Sequence, residues 1–258
     1  MIEKNYEFLT RALAKLGFED KLNDALRTKM VLGMPAFDLR AGVKHGNNQM
    51  VHDLRFARKK EDGFYFLNSQ QVTLKKEGQE PVTQNFTFFN QDGFNNKETF
   101  NLMEGRSVRN SRTIDGRPTP VWTYIDFKAD KNDKGNYVVR NPKEGDLKFD
   151  IDAALKALPL QSMSPDDLGK LTKSLEGGNL TPATLKVDGS WSRVYLEATP
   201  TRNMVTAYDT NMQKISLSGG KVELLSDDTS LRKVSDTTEK LLKKEDKPAQ
   251  GLTKKVGS

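Results

Sequence analysis

Apolar residues open the chain at helical intervals. Tyr6, Leu9, Leu13 and Leu16 are separated by 3, 4 and 3 positions, one face of a helix that Gly17 closes. Leu22, Leu26 and Met30 predict a second helix, with Asp20 placed to cap it and Gly33 and Pro35 to end it. The period then shortens to two. Alternation over 36–44, 50–59 and 63–68 predicts strands turned at Gly46-Asn47-Asn48 and Glu61-Asp62-Gly63. A further hairpin is predicted at 71–76 and 81–89 around Glu77-Gly78. A short helix at 96–104 and strands at 106–114, 119–129 and 136–140 follow, then a helix at 150–158. Ser164-Pro165-Asp166-Asp167 supplies a capping hydroxyl, a first-turn proline and an acid for a helix whose buried stripe is Leu168, Leu171 and Leu175. Strands at 181–187, 192–198 and 203–209 come next, then a strand pair around Ile215 and Val222–Leu224. A polar helix at 228–244 leads into a lysine-rich tail.

These elements read as a repeat. Gly33, Gly105 and Gly177 each end a leucine-bearing helix, lie 72 residues apart, and are each followed by strand-like runs. The middle strands alternate alike: Leu54 and Phe56, Ile125 and Phe127, Val194 and Leu196 are spaced by two between polar neighbours, as one covered sheet face requires. The prediction is an α+β fold: an N-terminal helical hairpin followed by three helix-plus-antiparallel-sheet units of about 72 residues. The expected boundaries are 1–95, 96–160, 161–225 and 226–258. Such units present surfaces more readily than they enclose one reaction centre.

Composition narrows the chemistry. The chain has 258 residues, no cysteine and two histidines, which excludes disulfides, thiolate nucleophiles and cysteine-held metals. The first residues lack a basic end followed by an apolar run, and no stretch approaches the ~18 apolar residues of a membrane span; the expectation is a cytoplasmic protein without membrane contact. Net charge is +6. Residues 105–143 carry nine Lys/Arg against four Asp, and 239–258 six Lys against three acids. That balance permits phosphate neutralisation and does not require it.

Few groups offer catalysis. His45 and His52 fall short of the three protein ligands of a catalytic zinc, so they are expected to pack against a sheet or lie on its surface. Asp130–Gly135 resembles a calcium loop but has Lys134 at its fifth position and Asn141 where the bidentate glutamate belongs; it reads as a turn. Gly177-Gly178 and Gly219-Gly220 have no P-loop lysine. No pair of carboxylates stands out, no cofactor is expected, and the chain is expected not to be an enzyme. The patch with most chemistry combines Arg106, Arg109, Arg112 and Arg117 with Trp122, Tyr124 and Lys128. Trp191, Arg193 and Tyr195 repeat the theme in the third unit. Rings interleaved with arginines on strands suit single-stranded nucleic acid. The same residues equally suit a second core or a joint between units.

The stretch Ser174-Leu175-Glu176-Gly177-Gly178, with Asp188-Gly189, Val194–Ala198 and Ala207-Tyr208-Asp209, resembles an uncharacterised repeat-domain family of Bacteroidota. The opening, Tyr6–Leu9 through Leu16-Gly17-Phe18 and Lys21-Leu22-Asn23, is similar to the start of such proteins. That family is often associated with conjugative or other mobile elements, so the resemblance implies a genomic setting and transfers no catalytic residues. The expected function is a non-catalytic binding or adaptor protein, with a nucleic-acid-associated accessory of a mobile element as its specific form. The partner is a nucleic acid or another protein; a purely structural assembly role and a carboxylate-dependent enzyme are the alternatives.

Overall fold

A computed structural model describes residues 2–88, 93–114, 116–142, 147, 149–216 and 223–224, all within the compact unit 1–224. The helix expected at 228–244 and the lysine-rich tail lie outside the described residues. The described chain is largely β. Its three antiparallel sheets have four, three and five strands, with five helices against them. This overturns the expected α+β series of three like units behind an N-terminal helical hairpin.

The first sheet is a meander of β1 (Ala36–His45), β2 (Asn48–Arg58), β3 (Tyr65–Lys75) and β4 (Val82–Thr87). Only one face is buried, the polar-out alternation of a half-covered antiparallel sheet. At one end of that face, Phe37, Leu39, Leu54, Phe56, Tyr65 and Leu67 pack under α1 (Ile2–Lys15) and α2 (Asn23–Val31), which supply Leu9, Leu13, Leu26 and Met30, with Leu16 just past α1. The opening helices therefore form a lid on this sheet. Asp20 does not cap α2. The residue before that helix is Leu22, which makes no side-chain cap. Asn5 instead ties α1 down, donating to Tyr65 O at 3.0 Å and accepting from Tyr65 N at 2.8 Å.

Sequence alternation splits β3 in two because a bulge interrupts it. Arg55 pairs with Ser69 but Phe56 pairs with Leu67, so Asn68 is extra and the phase slips by one. Leu67 and Gln70 then both face inward, and the expected separate hairpin is the continuation of a single four-stranded sheet.

At its other end the same face meets α3 (Asn96–Met103) and the second sheet, β5 (Val108–Ile114), β6 (Arg117–Asp126) and β7 (Val138–Arg140). Met50, Val72, Leu74 and Phe86 pack there with Phe100, Leu102, Val108 and Ile125. A capping box closes the start of α3: Asn95 accepts from the Lys97 and Glu98 amides, and Glu98 accepts from the Asn95 amide. The opposite face of β6 joins a third cluster, in which Trp122 meets α4 (Ile151–Lys156), α5 (Pro165–Glu176) and the third sheet through Leu155, Leu171, Leu175, Val194 and Leu196. That sheet runs β12-β11-β10-β9-β8, comprising β8 (Thr181–Val187), β9 (Ser190–Thr199), β10 (Met204–Tyr208), β11 (Lys214–Ser216) and β12 (Glu223–Leu224).

What recurs is short. Gly33, Gly105 and Gly178 have φ of 67°, 81° and 75°, and β1, β5 and β8 each begin three residues later. Gly177, the residue at the 72-residue spacing, has an ordinary φ of −70°. Beyond this corner the strand numbers diverge.

Candidate functional site

Arg106 and Arg109, at the start of the second sheet, are engaged inside the fold. Arg106 is 6% exposed. Its Nε donates to Gly178 O at 2.8 Å and its Nη2 to Asn101 Oδ1 at 2.6 Å, while Asn101 Nδ2 donates to Gly177 O and Asn179 Oδ1. The guanidinium thus joins the corner after α3 to the corner after α5. Arg109, on the opposite face of β5 from Val108, is ion-paired with Glu176 of α5. Arg112 lies half-buried over the Phe94 ring. Trp122 is 4% exposed and meets Phe149 edge-on. Tyr124 is half-buried opposite Arg140, whose guanidinium binds Asp126 and holds that carboxyl below its usual range. Arg117 and Lys128 are exposed at opposite ends of the sheet. The expected patch around Trp122 is therefore not a surface: its centre is core and joint.

The histidines also pack inward. His52 is fully buried, its Nδ1 3.1 Å from Gln70 Oε1 and its ring edge-on to Phe18. His45 stacks on Phe100 with centroids 4.4 Å apart. Burial lowers the pKa of both, with Lys97 adding to the effect at His45 and the Gln70 hydrogen bond opposing it at His52. Burial raises Glu98. Among the described residues no three histidine or carboxylate side chains converge to hold a metal, and no helix is long and apolar enough to cross a membrane. Residues 130–136 form a turn organised by Asn132, whose side chain accepts from the Lys134 and Asn136 amides.

The third-sheet candidates are placed differently. β8 and β9 are joined by Asp188-Gly189, both with positive φ (49° and 81°), the type I′ geometry that matches strand twist. That turn fixes Lys186 opposite Trp191, Thr184 opposite Arg193 and Pro182 opposite Tyr195. The inner face, with Leu185, Val194, Leu196 and Ala198, lies in the core. The outer face carries Trp191, Arg193 and Tyr195 in a row, about 7 Å from one to the next. Trp191 is 54% exposed, Lys186 and Arg193 are exposed, and Tyr195 is half-buried. Further along, Glu197 is nearly buried and accepts a 2.7 Å hydrogen bond from the Tyr208 hydroxyl. Nothing in the residue pattern singled out Lys186. Counting outward from the two-residue Asp188-Gly189 turn places it opposite the indole.

No known protein family, curated protein or solved structure matches the chain.

Proposed function

We propose that the protein is a non-catalytic binding module that holds single-stranded nucleic acid on the outer face of the β8–β9 hairpin, as an accessory protein. One observation carries this reading: an indole more than half exposed on a regular strand, with a lysine directly across the pair and an arginine two residues along the same face. Such a ring is a stacking platform for a base, and the flanking cations neutralise the adjoining phosphates. The net charge of +6 favours the encounter. The proposal moves the binding face away from Arg106 and Trp122, whose side chains are committed to packing.

Anisotropy titration of a labelled single-stranded oligonucleotide across a salt series tests it. The logarithm of the affinity is expected to fall linearly with the logarithm of salt concentration. Trp191→Ala is expected to weaken binding by roughly 5- to 100-fold, the loss of one stacked base. Lys186→Ala and Arg193→Ala each lower the salt slope by about 0.7. Arg55→Ala, on the first sheet, leaves binding unchanged. No binding at low salt, or binding indifferent to Trp191, refutes the reading.

A further inference from the structure

The outer strands of the sheets are not treated alike. The edge of β8 is closed by the segment before α5: Gln161 N donates to Thr184 O and Lys186 N to Pro159 O, each at 2.9 Å. The edge of β4 is closed by the turn after β6, where Asn85 N donates to Asn136 Oδ1, Tyr137 N donates to Gln84 Oε1, and Gln84 Nε2 donates to Tyr137 O. β1 has ten residues, and among the described residues nothing pairs with its outer side. A long open edge is a template for another strand, and natural sheets usually shorten, kink or cover it.

The backbone parity of this edge is fixed. Pro35 O accepts from Arg58 N at 2.9 Å, and the β1–β2 register runs unbroken from Ala36↔Ala57 to His45↔Asn48. Odd-numbered residues therefore bond to β2, while Ala36, Asp38, Arg40, Gly42 and Lys44 point their N–H and C=O groups away from it. Asp38, Arg40, Gly42 and Lys44 are all exposed.

We infer that this edge pairs antiparallel with β1 of a second copy of the chain, the two-fold axis passing beside Ala41. In that register Asp38 lies opposite Lys44 of the second copy, twice over, and Arg40 lies opposite Gly42. Charge and ladder length together select it: centring on Leu39 also sets Asp38 against Arg40 but pairs only residues 36–42, whereas the chosen register pairs 37–45. Centring on Arg40 sets two arginines against each other, and centring on Gly42 sets Arg40 against Lys44; either costs cross-strand repulsion. The chosen register extends an existing ladder. Asp38 already accepts from Arg55 of β2 at 2.8 Å, and Lys44 of the second copy adds a cation on its other side. Nothing lies within 4 Å of where a Cβ on Gly42 would stand, which leaves room for the opposing Arg40. On the covered face Leu39 falls opposite Val43 and Ala41 opposite itself. Two four-stranded sheets become one of eight. This contact is independent of the β8–β9 face.

Sedimentation velocity of the full chain from low micromolar to sub-millimolar concentration reads the result. The expectation is a concentration-dependent species of twice the chain mass. Gly42→Pro removes an outward N–H that β2 does not use, and is expected to abolish the dimer while far-ultraviolet circular dichroism stays native. Lys44→Asp and Asp38→Lys are each expected to weaken it about tenfold, because each places like charges opposite one another twice. The double variant Asp38→Lys/Lys44→Asp restores it. A monomer at every concentration overturns the inference, as does a dimer indifferent to Gly42→Pro. Should the proline variant fail to fold, the charge swap decides: no rescue in the double variant also overturns it.

Discussion

A guanidinium buried between two corners of the backbone cannot be replaced cheaply. Arg106 saturates Gly178 O and Asn101 Oδ1 from a position 6% exposed, and its loss leaves those acceptors without partners. Arg106→Ala is expected to destabilise the fold by about 3–5 kcal/mol in urea titration, and Arg106→Lys to recover only part because an ammonium lacks the planar fork. The two tryptophans separate cleanly. In Trp191→Phe the remaining Trp122 is expected to emit at short wavelength and resist iodide; in Trp122→Phe the remaining Trp191 emits like a wet indole and quenches. His52 sets a pH dependence. Its pKa is lower folded than unfolded, so the unfolded state binds the extra proton first. Stability is fully present above about pH 6.5 and falls as pH drops through the folded pKa, by at most about 1.4 kcal/mol per pH unit for one proton. Glu98, raised by burial, works in the opposite sense, its contribution being lost as pH rises above the usual glutamate range. The difference between wild type and His52→Gln isolates the histidine; equal midpoints at pH 7.5 and 5.5 would contradict it.

Corners and turns carry more information than their length suggests. Gly178 has φ of 75°, and a Cβ there would stand 2.8 Å from Ser107 O and 2.9 Å from Val108 Cγ2. Gly177, one residue earlier, has an ordinary φ, and a Cβ there would meet only ordinary contacts, the nearest Asn179 Nδ2 at 3.4 Å. Gly178→Ala is therefore expected to cost about 1–3 kcal/mol and Gly177→Ala well under 1, a contrast that thermal melts resolve. Sequence spacing pointed to Gly177, because it registers that a helix ends but not which residue turns left-handed. Most element positions were legible, since helical and alternating periods are local properties. β3 is not legible as one strand because the bulge at Asn68 reverses the alternation in mid-strand, and a reversed phase reads as a break. Asp20 misled for a related reason: a capping residue type is common, while the geometry of the chain ahead of α2 decides whether its side chain reaches.

Assembly of the sheets was the least legible level. The alternation of Ile125 and Phe127 against Trp122 and Tyr124 shows that β6 has two faces, but not that both are covered; that depends on α3 and α5 lying on opposite sides of it. The same ignorance made Arg106, Arg109 and Trp122 read as a surface, when contacts across about 70 residues bury them. Trp191 and Arg193, for which the residue pattern leaves surface and joint open, share the outer face because the β8–β9 hairpin is set by a two-residue turn, a local determinant. The first sheet shows what a single shared face permits. Its helical lid at one end and its α3 contact at the other belong to separate hydrophobic clusters, bridged by Asn96, which bonds to the Gly17 and Leu16 carbonyls, and by His52, which meets Phe18 and reaches Thr99 through Gln70. The N-terminal helices are expected to open as a unit, with loss of the Asn5 bonds to Tyr65, at lower cost than β5, β6 and β9. Amide protons of α1 and α2 should exchange at lower opening free energy than those of β6, and Asn96→Ala should widen that gap.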